Sequence, residues 1–286
     1  MTLKEYRNIF TTSLSQLYPK TEINTFLVIL IDEFLDLKPV DLVIKSDFEI
    51  NQQKLTDLNN ALDRLKKEEP IQYIIGHTEF FGYPFLVNKN TLIPRPETEE
   101  LVAWIIEEIN SNNTYKNKNI SILDIGTGTG CIPISLAKEL PNATISAIDV
   151  SDEALEIAKK NALANKVNIN FIEKDILNTS NLDDNYDIII SNPPYVRNLE
   201  KVEINNNVLE NEPHLALFVE DNNPLIFYNK IADLALHHLT NNGSLFFEIN
   251  QYLGKETIAL LKSKHYKTIE LRKDIFKNDR MLKANL

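Results

Sequence analysis

Glycine is scarce in this chain of 286 residues, with seven in all, and three of them fall together as Gly126, Gly128 and Gly130. Cysteine is scarcer still. The lone Cys131 excludes an internal disulfide and any metal site built from several thiolates. Basic residues are outnumbered, 30 Lys and Arg against 41 Asp and Glu, and the resulting formal charge of −11 argues against a dedicated nucleic-acid binder. Long apolar runs are also missing. The longest, Phe26 to Ile31, stops at Asp32, which is too short to cross a bilayer. No charged stretch leads from Met1 into an apolar segment, so no secretory signal is expected. Yet 43% of the residues are hydrophobic, too many for a disordered chain. The expectation is a soluble cytoplasmic protein without membrane contact.

The first seventy residues carry apolar side chains at helical spacing, as in Asn24 to Leu35 and Leu55 to Leu65, with no glycine before Gly76. Residues 1–70 therefore read as a small helix bundle. From Pro70, two β-prone runs, Ile71 to Gly76 and Glu79 to Val87, flank Gly/Pro turns and predict a hairpin linker over 71–93. Residues 94–286 then form the main domain. Ile93-Pro94-Arg95-Pro96-Glu97 opens a helix to about Ile109, with acidic Glu97, Glu99 and Glu100 in its first turn. After Asn119 strands and helices alternate: Ile120–Ile125, Cys131–Leu140, Ala143–Val150, Asp152–Asn165, Asn168–Glu173, Tyr186–Ser191, and on to Thr268–Arg272 and Met281–Leu286. That alternation predicts an α/β fold, a mostly parallel sheet covered by helices on both faces.

The clustered glycines stand in Asp124-Ile125-Gly126-Thr127-Gly128-Thr129-Gly130, between a strand and a helix. Glycine there permits a tight turn and a close approach to a ligand, and the helix start supplies unpaired N–H donors. The spacing is G-x-G-x-G, which departs from the G-x-G-x-x-G of a dinucleotide cradle. Asp149 ends the next strand, where a carboxylate can accept from both hydroxyls of a ribose; helix capping by Asp149 or Ser151 is the plain alternative. Asp175 ends the third strand and can reach an adenine edge, with Ile176 as an apolar wall, although a surface acid would look the same.

Ser191-Asn192-Pro193-Pro194-Tyr195 follows the strand Tyr186 to Ile190. An amide nitrogen is a poor nucleophile because its lone pair is delocalised, so a site that alkylates it must orient the NH2 group. The Asn192 side-chain oxygen and the Pro193 carbonyl can accept its two N–H bonds. The proline pair stiffens the loop, and Tyr195 offers a flat face to a planar amide or base.

Together these motifs resemble the class I S-adenosylmethionine-dependent methyltransferases, and more closely the HemK/PrmC family of release factor glutamine methyltransferases. The resemblance covers nearly the whole chain. It rests on Pro70 to Gly76, Leu92-Ile93-Pro94-Arg95-Pro96-Glu97-Thr98-Glu99, the glycine loop, Asn192-Pro193-Pro194-Tyr195, Glu212-Pro213 with Ala216-Leu217, and Asn278-Asp279-Arg280. It implies a Rossmann-like seven-stranded sheet and a helical domain that docks the protein substrate. It also implies methylation of the glutamine side-chain nitrogen (N5) in the Gly-Gly-Gln motif of class 1 peptide chain release factors. The cofactor S-adenosyl-L-methionine would lie on Gly126, Thr127, Gly128, Thr129, Gly130, Asp149, Asp175, Ile176 and Asn192. Asn192, Pro193, Pro194 and Tyr195 would bind substrate, with Asn192, Pro193 and Tyr195 catalytic. Two positions depart from the family pattern: Asn250 in Glu248-Ile249-Asn250, and Lys277 before the terminal Asn-Asp-Arg, both places where glycine is usual.

An adenine-N6 methyltransferase acting on DNA or RNA presents the same planar NH2 to such a loop but needs an electropositive surface. A non-catalytic cofactor-binding module is a third reading, disfavoured by the intact Asn192 and glycine loop. No metal is expected, since the five histidines lack ligand spacing. Cys131 reads as a packing residue. Arg95 reads equally as a ligand contact or a structural ion pair.

Overall fold

The computed structural model describes residues 1–112, 115 and 118–286, which divide into two compact units. In chain order the elements begin with helices α1 (Leu3–Leu14), α2 (Lys20–Leu35), α3 (Asp41–Ile44), α4 (Gln52–Leu65) and α5 (Ile71–Ile75). Strands β1 (His77–Phe80) and β2 (Tyr83–Leu86) precede α6 (Pro96–Ser111), β3 (Ile120–Ile125), α7 (Cys131–Glu139), β4 (Ala143–Asp149) and α8 (Asp152–Asn165). Then come β5 (Asn170–Glu173), β6 (Tyr186–Ser191), β7 (Val196–Arg197), α9 (Asn206–Asn211), α10 (His214–Leu217) and β8 (Phe218–Val219). The chain closes with α11 (Ile226–His238), β9 (Leu239–Glu248), α12 (Gly254–Ser263), β10 (Thr268–Lys273) and β11 (Asp279–Asn285).

The first unit is Met1–Gly76 with Asn205–Asn211. Helix α1 buries Leu3, Tyr6, Phe10 and Leu14, one stripe at three- and four-residue spacing, against Leu27, Leu30, Leu58, Leu62 and Leu65. Thr2 and Glu5 close its start reciprocally, each side chain accepting the other's backbone N–H. Ile71 to Gly76 departs from the expected strand. Pro70 starts a helical turn, Gly76 ends it in the left-handed region with its N–H on the Gln72 carbonyl, and Ile71 and Ile74 sink into the helical core. These residues thus fold with the bundle, and the hairpin begins only at His77.

The second unit, His77–Ile204 with Glu212–Leu286, holds a seven-stranded sheet in the order β10-β11-β9-β6-β3-β4-β5. Strands β9, β6, β3, β4 and β5 run parallel, while β11 is antiparallel to both β9 and β10. The expected mostly parallel α/β sheet is therefore what the chain forms. Alternation along the strands feeds two cores. Ile122, Ile188, Ile190 and Phe246 face α6 and α7, whereas Leu123, Ile189 and Phe247 face α11 and α12. Both faces are covered, which is why these strands read as continuous apolar runs. Because β3 lies between β4 and β6, the chain leaves it in opposite directions to reach its neighbours, and a crevice opens at the carboxyl edge.

Gly130 begins α7 in a left-handed conformation, φ +78°, and a Cβ there would stand 3.0 Å from Ile134 Cδ1 and 3.2 Å from Ala158 Cβ. Gly82, in the hairpin turn at φ +76°, has open space at the same point. Gly82→Ala should cost about 1–2 kcal/mol from backbone strain alone. Gly130→Ala should cost roughly 1–3 kcal/mol more through overpacking. Equal losses for both in chemical denaturation would show that the α7–α8 contact yields freely.

Candidate functional site

The loops that follow β3, β4, β5 and β6 meet in one cleft at the carboxyl edge of the sheet. Gly126, Thr127, Gly128, Thr129, Asp149, Asp175, Ile176, Asn192, Pro193 and Pro194 all line it. Gly130 and Tyr195 do not. Gly126, Gly128 and Gly130 are all left-handed, so the loop turns at every second residue. Gly126 and Thr127 both donate to the Ile148 carbonyl, at 2.8 and 3.0 Å, which ties the loop to the end of β4. A Cβ on Gly126 would come within 3.9 Å of the Asn192 carbonyl oxygen, so the loops after β3 and β6 face each other closely. From behind, Asn161 of α8 donates to the Thr129 carbonyl at 2.9 Å and pairs with both backbone groups of Leu86.

Asp149 holds the loop from the cleft side. One carboxylate oxygen accepts from Gly128 N–H at 2.8 Å and the other from Ser151 N–H at 3.0 Å. Ser151 is the helix cap, accepting from Ala154 N–H at 3.1 Å. Asp149 therefore supports the cap without being it, and two acceptors engaged by one donor each leave lone pairs for a ligand. Burial pushes its carboxyl up, against the pull of these backbone donors. The Asp175 carboxylate likewise takes one donor on each oxygen, from Leu177 N–H at 2.9 Å and Asn178 Nδ2 at 2.6 Å in its own turn, and keeps acceptor capacity at the cleft, while buried Ile176 lines it with an apolar side chain. Arg95 pairs with the buried Glu212 at 2.6 Å, and Glu212 also accepts from Ile93 N–H at 3.2 Å; the ion pair is formed, and Arg95 lines the cleft as well.

Asn192 Nδ2 donates to Thr98 Oγ1 at 3.3 Å. Thr98 in turn donates to Glu248 Oε2 at 2.6 Å, and Tyr195 donates to Glu248 Oε1 at 3.0 Å. Tyr195 thus stands apart from the expectation of a flat face toward a substrate. Its ring packs with the α11 side of the core and its phenol is committed to Glu248, with Arg280 Nη1 at 3.5 Å behind it. Burial and the adjacent carboxylate both push that phenol well above its ordinary range. Thr98, Glu248 and Arg280 stand in the quoted motifs without a role assigned to them, and Asn161 stands in none. Their place in those motifs was the signal available for the first three, and a buried asparagine within α8 gave none for Asn161.

Asp124 likewise stands in a quoted motif without a role assigned to it. It is fully buried at the end of β3, and neither carboxylate oxygen has a hydrogen-bond partner among the described residues. Burial pushes its carboxyl up to about 7, with the neighbouring Thr127 hydroxyl as slight relief and the Asp149 charge adding to the rise. The hydroxyl sits close without hydrogen-bonding geometry. Burial likewise pushes the Cys131 thiol up to about 12, which keeps it unreactive. Among the described residues no cluster of His, Cys, Asp or Glu could hold a metal ion, and no helix is long and apolar enough to cross a membrane.

Residues 105–217 match the methyltransferase small domain and residues 11–76 the PrmC N-terminal domain. The chain is 58% identical over 285 residues to the release factor glutamine methyltransferase of Flavobacterium psychrophilum, covering 100% of this chain and 99% of that one. It is 43% identical over 274 residues to the protein of the same name from Bacteroides thetaiotaomicron, covering 96% of each. Among solved structures, the hMettl16 catalytic domain in complex with the MAT2A 3'UTR hairpin 6 aligns with a TM-score of 0.57 over 82% of each chain. At 16% identity that likeness shows a shared fold.

Asp124 generates a stability prediction. An acid whose folded pKa lies near 7 binds its proton more tightly folded than unfolded. Its contribution to stability is therefore present at low pH and is lost as pH rises from about 4, the unfolded value, toward 7. Asp124→Asn removes the charge that has no partner, so it should melt higher than the parent at pH 8, with the gain shrinking toward pH 4. A gain that does not vary with pH would mean Asp124 is not the group that titrates.

Proposed function

This chain belongs to the release factor glutamine methyltransferase family, and from that premise we propose that it methylates the glutamine N5 in the Gly-Gly-Gln motif of class 1 release factors, using S-adenosyl-L-methionine. The observation that carries the reading is the meeting, in one cleft, of the left-handed glycine loop, Asp149 and Asn192. The cleft fits the cofactor chemically: the glycines leave the backbone open to close approach, Asp149 retains acceptor capacity for ribose hydroxyls, and Ile176 gives an apolar wall for a base. Bound there, the cofactor supplies a methyl group already made electrophilic by its sulfonium.

The protein's own task is orientation. The Asn192 side-chain oxygen and the Pro193 carbonyl accept the two N–H bonds of the target amide and aim its nitrogen. Pro194 holds the loop rigid. The bound cofactor would supply the methyl group with a neutral thioether as leaving group, so the amide nitrogen, once aimed, would need only to lose its extra proton to water. Tyr195 serves this loop from below, through Glu248. The helical unit docks the release factor; it exposes Val40, Val43 and Ile44 to solvent, apolar side chains available to a protein partner. A protein substrate, with no nucleic-acid contact, agrees with the acidic balance of the chain.

Mass spectrometry of a class 1 release factor incubated with the enzyme and S-adenosylmethionine should find one added methyl group on the Gly-Gly-Gln glutamine. An unmodified glutamine would sink the reading. Asn192→Ala should lower kcat by about 10²-fold or more while cofactor affinity changes little. Asp149→Asn should do the reverse, weakening cofactor binding roughly 10- to 100-fold in calorimetry, as for loss of a charged hydrogen bond. Near-normal turnover in Asn192→Ala would reduce the Asn-Pro-Pro-Tyr loop to a turn.

A further inference from the structure

We infer that Thr98 and Glu248 are positioning residues for the transfer: they turn the Asn192 side chain so that its amide oxygen, and not its NH2 group, faces the cleft. The inference rests on the function proposed above and adds two residues to it. It begins at Glu248, which is 1% exposed at the end of β9 and has no solvent to satisfy it. Burial pushes its carboxyl up, while the Thr98 and Tyr195 hydroxyls and the Arg280 charge favour the ionised form; an ionised carboxylate only accepts hydrogen bonds, so every neighbour at bonding distance must donate. Two hydroxyls do so, Thr98 at 2.6 Å on one oxygen and Tyr195 at 3.0 Å on the other. Arg280, itself paired with Asp274 at 3.1 Å, supplies the compensating charge through the Tyr195 oxygen.

Thr98 is 3% exposed and has one hydroxyl hydrogen, which Glu248 takes. Its oxygen can then only accept from a further neighbour. That neighbour is the Asn192 side chain at 3.3 Å, and of the two ends of a carboxamide only Nδ2 can donate. The orientation of Asn192 therefore follows from donor and acceptor polarity passed along Glu248, Thr98 and Asn192. The carboxamide is planar, so fixing Nδ2 on Thr98 leaves Oδ1 as the acceptor presented to the cleft. Reversed, Asn192 would present donors to a target amide that also presents donors, and of its two N–H bonds only the one to the Pro193 carbonyl would be met. Thr98 comes from the first turn of α6 and Glu248 from the end of β9, so one sheet edge and one helix start together set the reacting group on the loop after β6.

Thr98→Val keeps the shape and removes the hydroxyl; Thr98→Ser keeps the hydroxyl. In Thr98→Val, exchange of the Asn192 side-chain NH2 protons with water, followed by NMR on the full-length protein, should accelerate about tenfold or more as the bond to Thr98 is lost. On the release factor, kcat should fall at least about tenfold with KM within about threefold, because the lost interaction orients the acceptor during transfer. Thr98→Ser should restore both readouts. Calorimetry with S-adenosylmethionine checks that each variant is folded. If Thr98→Val does not fold, Glu248→Gln makes the same test, since it places an NH2 donor among hydroxyls that need an acceptor, and should likewise speed exchange and lower kcat. Unchanged Asn192 exchange and kcat in a folded Thr98→Val, or failure of Thr98→Ser to recover them, would overturn the inference. If the parent enzyme methylates no release factor glutamine, the proposed function fails, while the NMR comparison still decides whether Thr98 orients Asn192.

Discussion

Two backbone N–H groups, those of Gly126 and Thr127, share the Ile148 carbonyl at the end of β4, and the whole carboxyl edge of the sheet is organised around that shared acceptor. A chain leaving a central parallel strand normally runs on toward the helix that will cover the sheet. Here the ladder with β4 runs on one residue past β3, and the chain then turns through three left-handed residues in a span of five. Glycine at each of them removes the Cβ that would oppose the turn. The loop then lies low enough for Asp149 to reach Gly128 N–H, and for the loop after β6 to approach from the other side.

Buried polar groups divide into two kinds around this edge. Glu248, Asn161 and Glu212 are satisfied by partners from distant parts of the chain, and each joins elements that the sheet alone would leave independent. Such a group holds its neighbours because losing any one partner leaves a buried atom unpaired, which costs more than the bond contributes. Asp124 is the other kind, a carboxylate with no hydrogen-bond partner among the described residues, and its cost is met by a raised affinity for the proton.

The two departures from the family pattern have local remedies. Asn250 spends its entire side chain on the turn after β9. Its nitrogen donates to the Tyr195 carbonyl and to Glu200, both at 2.9 Å, and its oxygen accepts from Tyr252 N–H at 2.9 Å. A side chain thereby does the work of a flexible backbone. Lys277 does adopt the left-handed conformation, φ +70°, and its turn is braced by its N–H on the Asp274 carbonyl at 2.8 Å. Arg280 and Asn278 both bond the Asp274 side chain, so the brace continues into β11 and toward Tyr195.

Local pattern was enough to determine the strands β3 and β6, the helix α8, the mostly parallel order of the domain and the cleft-lining Asn192 and Asp149. Each depends on interactions within a few residues: apolar continuity, a cap, a glycine cluster or a rigid proline pair. Ile71 to Gly76 defeated that reading because a short, mostly apolar run is compatible with strand or helix, and the neighbours in the helical core chose helix. Tyr195 defeated it because the direction of its phenol is set by Glu248, some fifty residues further along the chain. The same holds for Thr98, Asn161 and Asp124. Which polar atom meets which, and which meets nothing, depends on strand order and helix placement, and a linear sequence does not carry those distances. Residue types and their spacing set the chemistry available at the cleft; the packed fold sets which way that chemistry faces, because orientation is a property of partners that folding brings together.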